Sequence, residues 1–480
     1  MAFISSPNFG SSYTYFMDKP TIILATSNGI GMGHLTRASA IASELKEFAN
    51  PIIVSMAAGV VEVPKIAGVR FEYIPGRDRN WMGRYQWDSY LRDRLVALID
   101  ETNAKIISFD GVVPYPGIIA IKSKRPDVKL VWVRRGFWQR TPQKYLLSLQ
   151  SKMMDLIITP GDFGQSYDNG PTSTRNDSVL VNPISIFNPK SILSREKARE
   201  ELGLDKNRPV CLVQLGIGEA DINSKLTAAL TGLLGWKDLQ VVLTKEPVDS
   251  NGKNLAPSGL DIKIIRYFPL ANALNAFDAA ICAAGYNSVH EELAAKIPTL
   301  FVPNIRGTDN QSARAKWAFD NHMALTVDQN NLNEIENSAR KLQDQGLRIK
   351  LSANCNNLPT TSGGFEVAEI FKKLLTTPAK TGISLPLTLI GLRIREVFSR
   401  GFRGFSYSKV QLITIFYRWV KPHNNGKVAN SNKIEIYQSE ESEELRKLIK
   451  SGNPFEHLVI GASPAYKDRR IKIATKAYLK

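Results

Sequence analysis

The sequence predicts an α/β protein with two doubly wound, Rossmann-like domains that face each other across a cleft. Short runs of aliphatic and β-branched residues alternate with segments of helical periodicity. This strand–helix series begins twice, near residues 21 and 210, and a glycine loop follows the first strand each time. Because such sheets bind ligands beyond the carboxyl ends of their strands, two binding edges are expected in one molecule.

Length and composition agree with this organisation. The 480 residues are too many for one hydrophobic core, and 43% hydrophobic with 22% charged residues is typical of a globular protein. Cys211, Cys282 and Cys355 are widely spaced, so neither a disulfide framework nor a CxxC metal site is available. They predict reduced core cysteines in a cytoplasmic protein.

The N-terminal segment 1–20 has no basic start and no sustained apolar core, so we expect a disordered terminus and no secretory signal. No window reaches the roughly 18 apolar residues of a membrane-spanning helix. The chain is therefore not expected to be an integral membrane protein.

Positive charge is concentrated at the end of the chain. The whole sequence has a net charge of +17, and residues 380–480 contain 19 lysines and arginines against 8 acidic residues, which leaves +11 there. Such an excess indicates an anionic partner: nucleic acid, an anionic membrane or a phosphorylated substrate. A basic face that only contacts solvent is also compatible with it.

The first series begins with a strand at Thr21–Thr26, followed by a loop that contains Gly31, Gly33 and His34. Glycines at alternate positions let the backbone approach a ligand closely. The spacing is GxGxG rather than GxGxxG, and no acid ends the second strand, which disfavours NAD.

His34 stands at the start of the following helix, and Asp110 ends the strand Lys105–Phe109. A helix N-terminus favours the neutral imidazole that a general base requires, and an acid at the same sheet edge could orient it. The alternatives are a histidine merely exposed at a turn and an aspartate that caps the next turn.

Further strands and a basic loop complete this series. Arg134 and Arg135 follow the strand Leu130–Val133 in a loop with two aromatic residues, which fits a bulky anionic acceptor or a plain basic rim. Strands are also predicted at Ile52–Ser55, Phe71–Ile74, Leu156–Thr159 and Ser178–Val181, and a helix at Tyr85–Thr102.

The second series begins at Val210–Gln214 and continues into a loop with Gly216. Tyr267 and Phe268 follow a later strand. Further strands are predicted at Val241–Thr244, Ile262–Ile265, Ala279–Cys282 and Thr299–Val302.

Within this series, the stretch Asp278–Arg314 reads as strand, glycine turn, helix, strand and polar loop. The turn from Gly285 through Asn287 and Ser288 opens the helix, so free backbone N–H groups form an anion site. Glu291, one turn into the helix, can accept hydrogen bonds from a ribose diol. An ordinary capped helix start fits this pattern as well.

Taken together, residues Thr21 to Leu375 resemble the GT-B nucleotide-sugar glycosyltransferases, particularly family 28. The resemblance lies in Gly33-His34, in Gly285-Tyr286-Asn287-Ser288 with Glu291, and in the loop Asp309-Asn310-Gln311 that precedes Arg314. Two departures are Glu219 beside the second glycine loop and Ala283 where related plant-type transferases have a phosphate-binding histidine.

The resemblance implies an inverting transfer of a sugar from a nucleotide diphosphate, UDP by preference, to a glycan or a lipid-linked acceptor. His34 would deprotonate the acceptor hydroxyl and Asp110 would steady it. The donor would be held at ten positions: Gly216, Tyr267, Phe268, Gly285, Asn287, Ser288, Glu291, Asp309, Asn310 and Gln311. Gly31, Gly33, Arg134 and Arg135 would lie on the acceptor side.

The implied organisation is a disordered N-terminus (1–20), an acceptor domain (21–183), a linker (184–193), a donor domain (194–376) and a basic extension (377–480). Since no Asp-x-Asp occurs, neither a metal nor another cofactor is expected, with the nucleotide-sugar as co-substrate. Leu385–Val420 fits an interfacial membrane helix or a helix closing on the first domain.

We expect a cytoplasmic location, peripheral on the inner membrane face, and no nucleic-acid partner. Two other functions remain open at this point. One is a nucleotide-sugar epimerase or hydrolase on the same fold, and the other is a non-catalytic GT-B module that docks on an anionic membrane.

Overall fold

The computed structural model describes residues 19–380 except 28–31, 58–59, 61–66, 78–83, 140–143, 217–221, 245–256 and 307. The predicted disordered terminus up to residue 18 and the basic extension beyond Lys380, including Leu385–Val420, lie outside the described residues. All structural statements below concern the described part of the chain.

The first domain is built on a seven-stranded parallel sheet. Its strand order is β3-β2-β1-β4-β5-β6-β7. The strands are β1 (Thr21–Thr26), β2 (Asn50–Ser55), β3 (Arg70–Tyr73), β4 (Ile106–Asp110), β5 (Lys129–Val133), β6 (Leu156–Pro160) and β7 (Val179–Val181). Its helices are α1 (Gly33–Leu45), α2 (Arg84–Thr102), α3 (Pro116–Ile119) and α4 (Lys144–Lys152).

Helices cover both faces of this sheet, which is why the central strands are apolar throughout. All six residues of β1 are buried. Ile22 and Leu24 pack in one core with helix α1, while Ile23 and Ala25 pack in a second core with helix α2. The alternation of strand side chains therefore fills two layers at once.

The second domain repeats this design with six parallel strands in the order β10-β9-β8-β11-β12-β15. The strands are β8 (Val210–Gln214), β9 (Gln240–Thr244), β10 (Asp261–Ile265), β11 (Ala279–Cys282), β12 (Thr299–Phe301) and β15 (Ala324–Thr326), with a short antiparallel pair β13 (Ile305–Arg306) and β14 (Asp309–Asn310). Its helices are α5 (Arg195–Glu201), α6 (Ile222–Leu233), α7 (Tyr286–Ala294), α8 (Gln311–Asp320), α9 (Leu332–Lys341) and α10 (Gln345–Asn354).

The last described helix, α11 (Gly363–Leu375), returns to the first domain. Val367 and Phe371 are fully buried in the same core as Leu35 and Ile41 of helix α1. Burying each such side chain stabilises the fold by about 1.5–3 kcal/mol. By its position in the sequence this helix belongs to the range predicted for the donor domain. It nevertheless packs against the core of the first domain.

The predicted fold class is confirmed: two parallel α/β sheets lie in one chain, and the predicted strands are present within a residue or two of their predicted ends. Within residues 19–380, no helix combines the length and the apolar character that crossing a bilayer requires.

Candidate active site

A cleft of about 530 Å³ lies between the two domains, at the carboxyl ends of both sheets. Most of the side chains predicted for the site meet in it. The first domain contributes Ser27, Gly33, His34, Arg37, Val112, Val113, Tyr115 and Arg135, and the second contributes Gln214, Gly216, Thr244, Tyr267, Phe268, Gly285, Asn287, Ser288, Glu291, Glu292, Asn304, Thr308, Asp309 and Gln311.

Sheet register explains why His34 and Asp110 meet. Thr26 at the end of strand β1 pairs with Asp110 at the end of β4, and the Ser27 N–H donates to the Asp110 carbonyl at 2.8 Å. The loop after β1 leads directly into helix α1, where His34 is the second residue. His34 Nδ1 consequently lies 2.7 Å from Asp110 Oδ1.

Arg37 is a third member of this group that was not predicted from the sequence. Its Nε and Nη2 donate to the two Asp110 carboxylate oxygens at 2.9 and 2.8 Å. Arg37 is 2% exposed and stands one helical turn after His34, so both side chains emerge on the same face of helix α1. Its position three residues after the candidate base His34 was the sequence signal that could have identified Arg37.

The protonation states follow from these contacts. Burial alone would raise the pKa of Asp110, but the charges of Arg37 and His34 lower it to about 2. The carboxylate is therefore ionised and accepts the Nδ1 proton of His34, which leaves Nε2 of the ring unprotonated. Burial, opposed by Asp110, lowers the pKa of His34 below its ordinary value. The imidazole is thus neutral at physiological pH.

Helix α7 supplies the anion site on the opposite wall. Gly285 is its N-cap in an extended conformation, with φ −66° and ψ 160°, and no side chain caps the first turn. Gly285, Asn287 and Ser288 all line the cleft. The backbone N–H groups of this first turn remain available for an anion, and the helix dipole favours negative charge there.

Glu291 lines the cleft one turn further along the same helix. Its Oε1 is buried and has no hydrogen-bond partner among the described residues. Burial, together with the neighbouring charge of Glu292, raises the pKa of Glu291 well above its ordinary range. This carboxyl is a free acceptor or donor that faces the space where a ligand would lie.

Gly216, Tyr267 and Phe268 form the far end of the cleft wall. Gly216 has φ 82°, a left-handed conformation that glycine adopts without a Cβ penalty, and it is the second residue after β8. The Tyr267 hydroxyl donates to Glu201 Oε2 at 2.6 Å.

The three residues of the loop Asp309-Asn310-Gln311 have two different roles. Asp309 and Gln311 are buried and line the cleft, and Gln311 Oε1 accepts from the Asn304 N–H at 2.9 Å. Asn310 instead caps helix α8, where its Oδ1 accepts from the Ala313 N–H at 3.1 Å. The prediction that Asn310 contacts the donor is therefore replaced by a capping role.

The two arginines of the first-domain loop point to different places. Arg135 lines the cleft and forms an ion pair of 2.9 Å with Asp309 across the domain boundary. Arg134 is fully buried away from it, where Nη2 contacts Asp177 and Nη1 contacts Ser151. The expected acceptor-side role of Arg134 is not supported, because adjacent residues of an extended loop face opposite sides. Gly33 lines the cleft, and Gly31 lies outside the described residues.

Among the described residues, no group of three or more His, Cys, Asp and Glu side chains is arranged to hold a metal ion.

A buried polar network joins the two domains beneath the cleft. Arg314 donates to Asp162 at 2.8 Å, to the Ala284 carbonyl at 2.9 Å and to Asp309 at 3.2 Å. His290 accepts the Phe163 N–H at 3.1 Å through Nε2 and contacts the Tyr286 carbonyl through Nδ1. Burial lowers the pKa of His290 to about 4, so it is neutral.

Comparison with known proteins shows which family and which solved structures this chain resembles. Residues 228–370 match the profile of the glycosyltransferase family 28 C-terminal domain. The crystal structure of the kitacinnamycin glycotransferase aligns with a TM-score of 0.52 and 13% identity, over 74% of this chain and 99% of the other. These matches confirm the GT-B fold, and residues 228–370 are similar to the C-terminal domain of glycosyltransferase family 28.

Two further matches extend the comparison. A putative UDP-N-acetylglucosamine 2-epimerase from Listeria monocytogenes aligns with a TM-score of 0.53 and 14% identity, over 76% of this chain and all of the other. The sequence is 25% identical over 196 residues to a UDP-N-acetylglucosamine–N-acetylmuramyl-(pentapeptide) pyrophosphoryl-undecaprenol N-acetylglucosamine transferase from Acetivibrio thermocellus. That match covers 39% of this chain and 53% of the relative, so the chain spans about half the length of this relative.

Proposed function

We propose that this family 28-like protein is an inverting glycosyltransferase that moves a sugar from a nucleotide diphosphate, UDP by preference, to a hydroxyl group. One observation supports the proposal above the others. The cleft brings a neutral, carboxylate-oriented histidine, His34, opposite the uncapped N-terminus of helix α7. A base on one wall and an anion site on the other are what sugar transfer from a diphosphate requires.

In this proposal the donor lies along the second domain. The diphosphate occupies the N-terminus of helix α7 at Asn287 and Ser288, and Glu291 holds the ribose. The base lies against Tyr267 and Phe268, with Gly216 allowing the backbone to approach closely. Gln311 and Asp309 contact the hydroxyls of the transferred sugar.

The chemical step starts at His34 Nε2, which takes the proton of the acceptor hydroxyl. The oxygen then attacks the anomeric carbon from the face opposite the diphosphate, so the configuration inverts. As the new C–O bond forms, the bond to the diphosphate oxygen breaks and its electron pair leaves with the diphosphate. Ionised Asp110 stabilises the imidazolium, while the amides of helix α7 stabilise the leaving charge.

We further propose a glycan or lipid-linked acceptor, a cytoplasmic location at an anionic membrane surface and transfer that needs no metal. The relative from Acetivibrio thermocellus is named for a lipid-linked acceptor, a pyrophosphoryl-undecaprenol. The net charge of +11 in residues 380–480 suits a surface that bears anionic lipid.

The test measures UDP release from UDP-sugars with and without candidate acceptors, using the wild-type protein and His34→Ala. We expect acceptor-dependent turnover that His34→Ala lowers by about 10²–10⁴-fold, the usual contribution of a general base. UDP affinity, measured by calorimetry, should stay the same.

Transfer within a few fold of wild type in His34→Ala would remove the base assignment. Turnover of UDP-sugar without any acceptor would instead identify an epimerase or hydrolase on this fold. His322→Ala is a matched control, because this histidine is exposed and does not line the cleft.

A further inference from the structure

Glu292 is a second buried carboxyl in the donor half of the cleft. It directly follows Glu291, is 2% exposed and lines the same cavity. The Cys282 thiol donates to its Oε1 at 3.4 Å. Its Oε2 is buried and has no hydrogen-bond partner among the residues that the structure describes. Because leaving a buried polar atom unpaired costs about 1–3 kcal/mol, this oxygen calls for a partner that the described residues do not supply.

The spacing along helix α7 indicates which part of a ligand would reach it. Ser288, Glu291 and Glu292 stand at positions i, i+3 and i+4, so the three side chains share one face of the helix. A diphosphate at the first turn lies next to Ser288. The ribose follows the diphosphate in a nucleotide, and it reaches the level of the two glutamates, one turn further on.

The charges around Glu292 suit a neutral sugar. Among the described residues, the titratable groups that act on it are the Cys282 thiol on strand β11 and Glu291 on its own helix. Burial raises the pKa of Glu292 to about 8, against the weaker opposing effects of the thiol and its own backbone N–H. A protonated carboxyl both donates and accepts hydrogen bonds, as a ribose hydroxyl does.

We propose that Glu292 is a second ribose-binding residue, whose Oε2 holds one of the two ribose hydroxyls while Glu291 holds the other. The inference rests on the proposed function, since it requires a nucleoside diphosphate in the cleft. It also assigns specificity, because a cleft with two carboxyls aimed at a vicinal diol selects ribonucleotides over deoxyribonucleotides.

The test is calorimetry of the full chain with UDP, 2′-deoxy-UDP and 3′-deoxy-UDP. Glu292→Leu should weaken UDP binding roughly tenfold, the value of one hydrogen bond in a buried site. For one of the two deoxy analogues, Glu292→Leu and wild type should bind equally, because the hydroxyl that Glu292 would hold is already absent. Glu292→Gln keeps both a donor and an acceptor, and it should bind UDP within about twofold of wild type at pH 7.

A pH series separates ligand contact from a structural role and does not depend on the leucine variant folding. Between pH 7 and pH 9 Glu292 ionises, and its charge then opposes the diphosphate and Glu291. Wild-type affinity for UDP should therefore fall over this range by more than the affinity of Glu292→Gln. The matched control is Glu336→Gln, a partly exposed glutamate of helix α9 that does not line the cleft.

Three results would overturn the inference alone: wild-type affinity for UDP in Glu292→Leu, an equal loss for all three nucleotides, or the same pH dependence in wild type and Glu292→Gln. If the wild-type chain binds none of UDP, ADP, GDP and CDP, the proposed function fails together with this inference. If another ribonucleotide binds in place of UDP, the same comparison is made with that nucleotide and its deoxy forms.

Discussion

At the scale of single residues, the cleft shows how one imidazole is prepared for proton transfer. His34 owes its neutral state to burial, and its tautomer to Asp110, whose carboxylate stays ionised because Arg37 binds both of its oxygens. The three side chains come from two elements only, helix α1 and the end of strand β4. Arg37 holds both Asp110 oxygens and lies 2.9 Å from His34 Nδ1, so we regard it as a positioning residue for the imidazole.

Replacing Asp110 with asparagine tests this arrangement. The wild-type rate should rise with pH through a pKa below 6.5 and then level off, because His34 acts in its neutral form. In Asp110→Asn the Arg37 charge loses its partner, so the pKa of His34 should fall further and the acid limb should move to lower pH. The amide also fixes the tautomer poorly, so kcat should drop roughly a hundredfold or more.

The measurement is a pH profile of sugar transfer at saturating donor, with nucleotide affinity determined in parallel. Asp93→Asn serves as the control, since Asp93 is an exposed aspartate of helix α2. An unchanged kcat and an unchanged acid limb would contradict the role of Asp110.

At the scale of elements, helix α7 combines most of the proposed donor site with an anchor between the domains. Its N-terminus faces the cleft, and Tyr286 lies in its first turn. The Tyr286 hydroxyl donates to the Gly161 carbonyl at 2.8 Å and accepts the Ile184 N–H at 2.9 Å. Its ring also lies 4.9 Å from the Arg37 guanidinium. The position of the anion site is therefore tied to the segment that connects the two domains.

Tyr286→Phe should reduce the free energy of unfolding by about 2 kcal/mol, because it leaves a buried N–H and a buried carbonyl unpaired. Urea denaturation followed by circular dichroism measures the difference. In Tyr267→Phe the lost hydrogen bond, to Glu201, is exposed to solvent, and we expect a change below about 0.5 kcal/mol. Equal effects of the two variants would show that the Tyr286 hydroxyl does not anchor the helix.

At the scale of the whole molecule, buried charges connect the domains. Asp162 and Arg135 come from the first domain, and Arg314 and Asp309 from the second. The Arg135 and Arg314 charges lower the pKa of Asp309 to about 2, against the effect of burial. Since each carboxylate is paired with a guanidinium, removal of one partner leaves a charge buried without compensation.

Arg314→Met should therefore destabilise the protein by roughly 3 kcal/mol or more, since it leaves Asp162 and part of the Asp309 contact unpaired. Calorimetry or urea unfolding measures the change. If the network couples the two domains in the wild type, the domains of Arg314→Met should unfold in two distinct transitions. Glu336→Gln, which removes an exposed ion pair with Arg340, should alter the free energy of unfolding by less than about 0.5 kcal/mol. A similar small effect of Arg314→Met would contradict the interdomain role.

Local pattern was sufficient to predict most of the strands and the two doubly wound domains, and the resemblance to a family then implied the GT-B fold. Runs such as Thr21–Thr26 and Ala279–Cys282 are apolar because parallel strands are covered on both faces, and that requirement is visible without coordinates. The positions of His34, Asp110 and Gly285 follow for the same reason, since loops after parallel strands meet at one edge of a sheet. The cleft residues Glu291, Asp309 and Gln311 were predicted because a motif fixes their order.

Tertiary structure alone decided what depends on the direction of a side chain or on contact between distant segments. Arg134 and Arg135 are indistinguishable in sequence, yet one is buried beside Asp177 and the other pairs with Asp309 across the cleft. Asn310 caps a helix, and Arg37, Arg314 and His290 gain their roles only when segments far apart in the chain meet. Sequence determined where each strand ends and which residues follow it, because periodicity is a local property, whereas the order of the strands depends on pairing between distant segments. Packing between the domains determined which polar side chains remain unpaired in the cleft, because burial depends on both walls at once.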